Sequence, residues 1–125
     1  MVVDDDPRVR KYIRKYLGHD GHTIIEAENG IEAIMFYNAE PVDLIITDNN
    51  MPGMMGIELA RKMQQIHGTD QCPVILMSGD DLVTDELADF GISTFIKKPF
   101  EYCHLKLLMA KLLENPGHSF IEKRN

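Results

Sequence analysis

A chain of 125 residues fits one domain and is long enough to bury a core, and its 44% hydrophobic content excludes a disordered polymer. No apolar run approaches the length of a membrane span, and the N-terminus lacks the basic-then-apolar pattern of a signal peptide. The formal net charge of −7 argues against direct nucleic-acid binding by this chain, while Cys72 and Cys103, with no CxxC or metal-ligand spacing, are ordinary thiols of a reducing, cytoplasmic setting.

Met1-Val2-Val3 is a short apolar run ending in Asp4-Asp5-Asp6. It has the character of a first strand, shorter than a central strand should be, as if its beginning were missing. Asp6-Pro7 supplies an N-cap and a proline at the first helical position. The helix that follows has Val9, Tyr12, Ile13, Tyr16 and Leu17 on one face and Arg8, Arg10, Lys11, Arg14 and Lys15 on the other; Gly18 to Gly21 breaks it. Residues 22–27 are a second strand, with β-branched Thr23, Ile24 and Ile25. Asn29-Gly30 opens a second helix, with Ile31, Ile34 and Met35 expected inward.

Leu44, Ile45 and Ile46 follow one another without polar alternation, as a strand buried on both faces requires. This third strand ends on Thr47-Asp48, and the Pro52-Gly53 turn closes it. A third helix is predicted over 56–66, with the apolar stripe Ile57, Ala60, Met63 and Ile66. Residues 73–78 are a fourth apolar strand ending on Ser78, followed by Gly79 and a short acidic fourth helix over about 82–90. Residues 93–97 form a fifth strand, then Lys98-Pro99-Phe100. A last helix covers about 102–113, with Leu105, Leu108, Met109, Leu112 and Leu113 inward. The domain is expected to span 1–114, with 115–125 a tail or the start of a linker. Alternating strands and helices imply an α/β fold, a parallel sheet with helices on both faces.

In such a sheet the carboxyl ends of the strands share one edge, where ligands bind. That edge collects Asp4 and Asp5 from strand one, Asp48 from strand three, Ser78 from strand four and Lys98 from strand five. Two unit charges about 4 Å apart interact by about 4 kcal/mol at an effective dielectric near 20, so three carboxylates need a cation among them. A hard divalent cation with oxygen ligands suits, and Mg²⁺ leaves positions open for water and phosphate. One carboxylate could then accept a phosphoryl group while metal, ammonium and hydroxyl stabilise its oxygens. Taken alone, Asp48 reads first as a turn residue.

Val2-Val3-Asp4-Asp5-Asp6-Pro7, Thr47-Asp48-Asn49-Asn50-Met51-Pro52-Gly53, Met77-Ser78-Gly79 and Ile96-Lys97-Lys98-Pro99-Phe100 resemble the four signatures of response-regulator receiver domains, the phosphoacceptor modules of two-component signalling. They occur in the family's order and spacing across about residues 1–114. The resemblance implies a flavodoxin-like, five-stranded parallel sheet of order 2-1-3-4-5. It implies Asp48 as the phosphoacceptor, Asp4 and Asp5 as the acidic pair, and Asp5 as the more direct ligand of Mg²⁺, with Mn²⁺ an alternative. The Asn50 backbone carbonyl becomes a further ligand. Ser78 and Lys98 contact the phosphoryl group, Pro99 follows a cis peptide bond, and Phe95 takes the aromatic switch position beside Ser78. Asn50 and Asp80 occupy the positions that tune dephosphorylation, and a polar amide and a carboxylate there imply moderately fast self-hydrolysis.

The implied donor is a sensor histidine kinase or histidine phosphotransfer protein, docking beside the basic face of the first helix. The implied output is a change, or a dimer, through the face of helix four, strand five and the last helix; a short acidic fourth helix puts the usual modes of that face in doubt. The domain is expected to assist its own phosphorylation and dephosphorylation without being a classical enzyme. Two alternatives stand beside this. One is a phosphorylation-independent interaction domain on the same fold. The other is an Asp-nucleophile phosphohydrolase, which would want a second acid where Asn50 stands. The scattered histidines His19, His22, His67, His104 and His118 have no metal-ligand spacing.

Overall fold

The computed structural model describes residues 1–68, 71–79 and 87–114. Five strands form one sheet: β1 (Val2–Val3), β2 (Glu26–Ala27), β3 (Ile45–Asp48), β4 (Val74–Ser78) and β5 (Thr94–Lys97). All pairings are parallel, and the order is β2-β1-β3-β4-β5. The helices are α1 (Pro7–His19), α2 (Gly30–Ala39), α3 (Gly56–His67) and α4 (Tyr102–Glu114), with a 3-10 turn at Ala88–Phe90. Among the described residues no helix is long and apolar enough to cross a membrane.

The unbroken apolar strands are explained by two cores, one on each face of the sheet. Successive strand residues point to opposite sides, so Ile46, Ile75, Met77 and Ile96 meet Ile13 and Leu17 of α1 and Leu105, Leu108, Met109 and Leu112 of α4. Val3, Ile45, Val74 and Leu76 meet Ala33 of α2 and Leu59, Ala60 and Met63 of α3.

Several local expectations are corrected. The second strand is Glu26–Ala27, not 22–27. Its partner β1 has two residues, in register Val2↔Glu26 and Val3↔Ala27. Helix α1 runs through Gly18 to His19, where the Asp20 amide donates to the Tyr16 carbonyl at 3.1 Å. Tyr12 and Tyr16 are exposed rather than core; they pack edge to face on each other, and Tyr16 stacks on Tyr102 of α4 at 5.0 Å.

Helix α2 turns the other way from the expectation: Ile31 and Met35 are 67% and 60% exposed, and Gly30 and Ala33 are buried. The Asn29 side chain caps the helix by accepting from the Glu32 amide at 2.8 Å, and Gly30 lies against Met54, which together set that rotation. In α3 the buried stripe is Leu59, Ala60 and Met63, with Ile66 exposed; in α4 Leu113 is exposed. Most of the expected fourth helix and the whole 115–125 segment lie outside the described residues.

Candidate functional site

β1 and β3 are central, so their carboxyl ends are flanked by other strands and water reaches them poorly. Asp4 follows β1 directly, and its amide donates to the Ala27 carbonyl at 3.1 Å. Its side chain is buried; Oδ1 accepts from the Asp6 amide at 2.9 Å and Oδ2 from Lys98 Nζ at 3.1 Å. Asp48 closes β3 and is also buried, with Oδ1 3.0 Å from the same ammonium. Asp5 is exposed at the rim. One oxygen from each of Asp4, Asp5 and Asp48 lies within 4.8 Å of the others.

Lys98 is aimed by its backbone. Its amide donates to the Ser78 carbonyl at 2.8 Å, and the bond to Pro99 is cis. Lys97 lies on β5 beside Ser78 in the sheet register and is exposed, so alternation turns it away from the side that Lys98 takes. Ser78 is buried at the end of β4. Phe95 is half-buried against the core on the α2–α3 side. Asn50 is exposed two residues past Asp48, and Asp80 lies outside the described residues.

The loop after Asp48 is held by a residue that sequence inspection did not single out. The Asn49 amide donates to the Met77 carbonyl at 2.9 Å; its own carbonyl accepts from Gly56, and its Oδ1 accepts from the Ile57 amide at 3.2 Å. Asn49 thus caps α3 across a loop of several residues, a spacing that no local capping pattern signals.

The electrostatics follow from burial. Desolvation pushes the Asp4 carboxyl above its ordinary value, against the Asp6 amide bond and the Lys98 charge, which favour ionisation. For Lys98, burial alone would lower the ammonium's pKa; the bonds and charges of Asp48 and Asp4 outweigh it and hold it above its ordinary value. The cluster therefore sets three carboxylates against one ammonium, and that ammonium does not relieve Asp4 completely. The remaining donors are all carboxylate oxygens, with Asp5 open to solvent, a set that fits a hard divalent cation.

A family model for the response regulator receiver domain matches residues 1–110. The chain is 36% identical over 121 residues to the transcriptional regulatory protein ResD of Bacillus subtilis, covering 95% of this chain and 49% of that protein. It is 33% identical over 116 residues to the response regulator MprA of Mycobacterium tuberculosis, covering 90% of this chain and 49% of that protein. The chain thus spans about half the length of the curated relatives it matches. The receiver domain of NtrX from Brucella abortus superimposes with a TM-score of 0.82 at 26% identity, covering 91% of this chain and 97% of that one.

Proposed function

The chain belongs to the response regulator receiver domain family, and from that premise we propose that Asp48 is the acceptor of a phosphoryl group carried by a phosphohistidine. The donor is a sensor histidine kinase or a histidine phosphotransfer protein. An Asp48 carboxylate oxygen attacks phosphorus, and the P–N bond to the donor imidazole breaks. The imidazole leaves with that electron pair and takes a proton from water, and an acyl phosphate remains on Asp48.

Mg²⁺, or Mn²⁺ in its place, would be held by Asp4, Asp5, Asp48 and the Asn50 backbone carbonyl and would neutralise charge on the phosphoryl oxygens. The Lys98 ammonium lies 3.0 Å from Asp48, which supports a role in stabilising the new oxygens with little reorganisation. Ser78 offers its hydroxyl to another phosphoryl oxygen, and Phe95 follows it inward. The added charge, roughly one to one and a half units beyond the carboxylate, biases the face that includes β5 and α4. A partner reads that change only by binding the two states differently. Hydrolysis reverses the mark: water attacks phosphorus, the P–O bond to Asp48 breaks, and inorganic phosphate and a proton leave. Asn50 and Asp80 are placed in sequence to orient that water.

The observation carrying this reading is one ammonium bridging two buried carboxylates, Asp4 and Asp48, at the carboxyl edge of the sheet. The test is labelling by acetyl phosphate, followed by intact mass. We expect addition of one phosphoryl group that requires Mg²⁺ and is abolished in Asp48→Asn. A wild-type chain that takes no label under these conditions would favour a phosphorylation-independent interaction domain.

A further inference from the structure

Five cations decorate α1, and the sequence sets them on one face of the helix. The structure separates them. Arg8 is 90% exposed and pairs with Asp6, and Arg14 is 67% exposed, but the Arg10 side chain is only 15% exposed. Arg10 reaches back under the acidic edge. Its Nη1 donates to the main-chain carbonyl of Asp4 at 2.6 Å, and its Nε donates to Glu26 Oε1 at 3.2 Å. The second oxygen of Glu26 accepts from Arg14 at 2.8 Å.

We infer that Arg10 is a positioning residue for the acidic pair: it fixes the Asp4–Asp5 peptide plane, and Glu26 of β2 holds it there while offsetting part of its charge. The inference rests on the receiver reading of the site.

The Asp4 carboxylate is already fixed by the Asp6 amide and Lys98, and its amide by Ala27. What remains to be set is the peptide group leading from Asp4 to Asp5. Its rotation decides where the exposed Asp5 carboxylate points relative to Asp4 and Asp48. A guanidinium presents its donors in a rigid planar fork, so bonding Glu26 with one nitrogen fixes the direction in which another meets the carbonyl. A lysine at this position offers its donors from one freely rotating ammonium, so its bonds to the two oxygens would have no fixed mutual direction.

The pairing with Glu26 also matters for charge. An uncompensated guanidinium beside three carboxylates would oppose the entry of a cation. With Glu26 bonded to it, Arg10 orients the pair with its charge partly offset rather than bare. Groups behind metal ligands commonly set affinity in this way, and their loss costs about 10- to 100-fold.

The experiment is calorimetric titration of the full chain with MgCl₂, well below the unfolding midpoint, with the thermal midpoint of every variant measured alongside. Wild type is compared with Arg10→Met, Glu26→Gln, Arg14→Met and Asp5→Asn. We expect Arg10→Met to raise the Mg²⁺ Kd by about tenfold. Glu26→Gln, which leaves the guanidinium charge unbalanced, should also raise it. Arg14→Met, which removes a Glu26 contact and leaves the Asp4 contact in place, should stay within about twofold of wild type. The acetyl phosphate labelling rate of Arg10→Met should recover at saturating Mg²⁺, which separates lost affinity from lost chemistry.

A lower midpoint with unchanged Mg²⁺ affinity in Arg10→Met would show a merely structural role and overturn the inference. If Arg10→Met does not fold, Arg10→Lys decides: a raised Kd at an unchanged midpoint supports the coupling, and a wild-type Kd overturns it. If wild type binds Mg²⁺ no better than Asp5→Asn, the metal-assisted phosphoacceptor reading of the site falls and this inference with it. If binding depends on Asp5 but not on Arg10, this inference falls alone.

Discussion

Asp4 shows how a single side chain can be costly to the fold and useful to the site. It is almost fully buried, and its carboxyl stays above the ordinary 3.8 despite two hydrogen-bond donors. Below that value the group is protonated in both folded and unfolded chains and carries no penalty. As pH rises, the unfolded chain ionises first, so folding stability falls through the window between the ordinary value and the raised folded value. Asp4→Asn removes the penalty, gives up part of the Lys98 contact and leaves Lys98 its partner Asp48. Because the net direction of the shift is upward, the penalty exceeds the contact. The variant should therefore be more stable than wild type in metal-free solution at pH 7. The advantage should shrink as the pH is lowered into the ordinary carboxylate range. Urea melts at both pH values check this, and a variant weaker than wild type at pH 7 would contradict it. The residues at this scale differ in how visible they were beforehand. Asp4, Asp48, Ser78 and Lys98 follow apolar runs, so strand ends alone place them on one edge. Arg10 gave no such sign, because its role depends on which way one turn of α1 faces β2, and a run of five cations conceals that direction.

The elements join the site through close backbone approaches, and two glycines show the difference between a wall and a cushion. A Cβ on Gly56, at the start of α3, would run into the Asp48 carbonyl and Leu76. The Asp48 carbonyl belongs to the sheet end that carries the Asp48 carboxylate, and it cannot move without moving the site. Gly30, at the start of α2, would instead meet Met54, a flexible side chain. Gly56→Ala should then cost about 1–3 kcal/mol in urea unfolding, as overpacking does. Gly30→Ala should be close to neutral, since the thioether shifts and alanine gains about 0.8–1 kcal/mol of helix propensity. Equal losses at both positions would mean that the β3–α3 loop yields as easily as a methionine. This scale was also the least legible in the sequence. An apolar period locates a helix but not its rotation when more residues are apolar than the face can bury. In α2, Ile31, Ile34 and Met35 made a plausible stripe, yet a cap at Asn29 and the Gly30–Met54 contact put Ala33 inward and left Ile31 and Met35 in water. In α1, the stripe through Tyr12 and Tyr16 proved to be an exposed aromatic stack rather than core. Strand order was recoverable only because the motifs carried a family resemblance; nothing in the strands themselves says that β1 lies between β2 and β3.

At the scale of the whole molecule, the acidic edge is tied to global stability because its carboxylates come from both central strands, β1 and β3. These strands are shared by both cores, so the edge cannot assemble unless the sheet does. A cation held only by the assembled edge stabilises the entire fold, by about 2.7 kcal/mol at a concentration 100 times its Kd. A chain of net charge −7 also gains stability from any salt that screens its self-repulsion, so the two effects must be separated. Asp5 separates them. It is exposed, so Asp5→Asn should leave metal-free stability within about 0.5 kcal/mol of wild type. Urea unfolding with EDTA, with MgCl₂, and with NaCl at matched ionic strength should then show three results. Both proteins respond equally to NaCl, wild type gains a further increment from Mg²⁺, and Asp5→Asn loses that increment. The same Mg²⁺ increment in both would place the bound cation elsewhere on the acidic surface and detach the metal from the Asp4–Asp5–Asp48 edge.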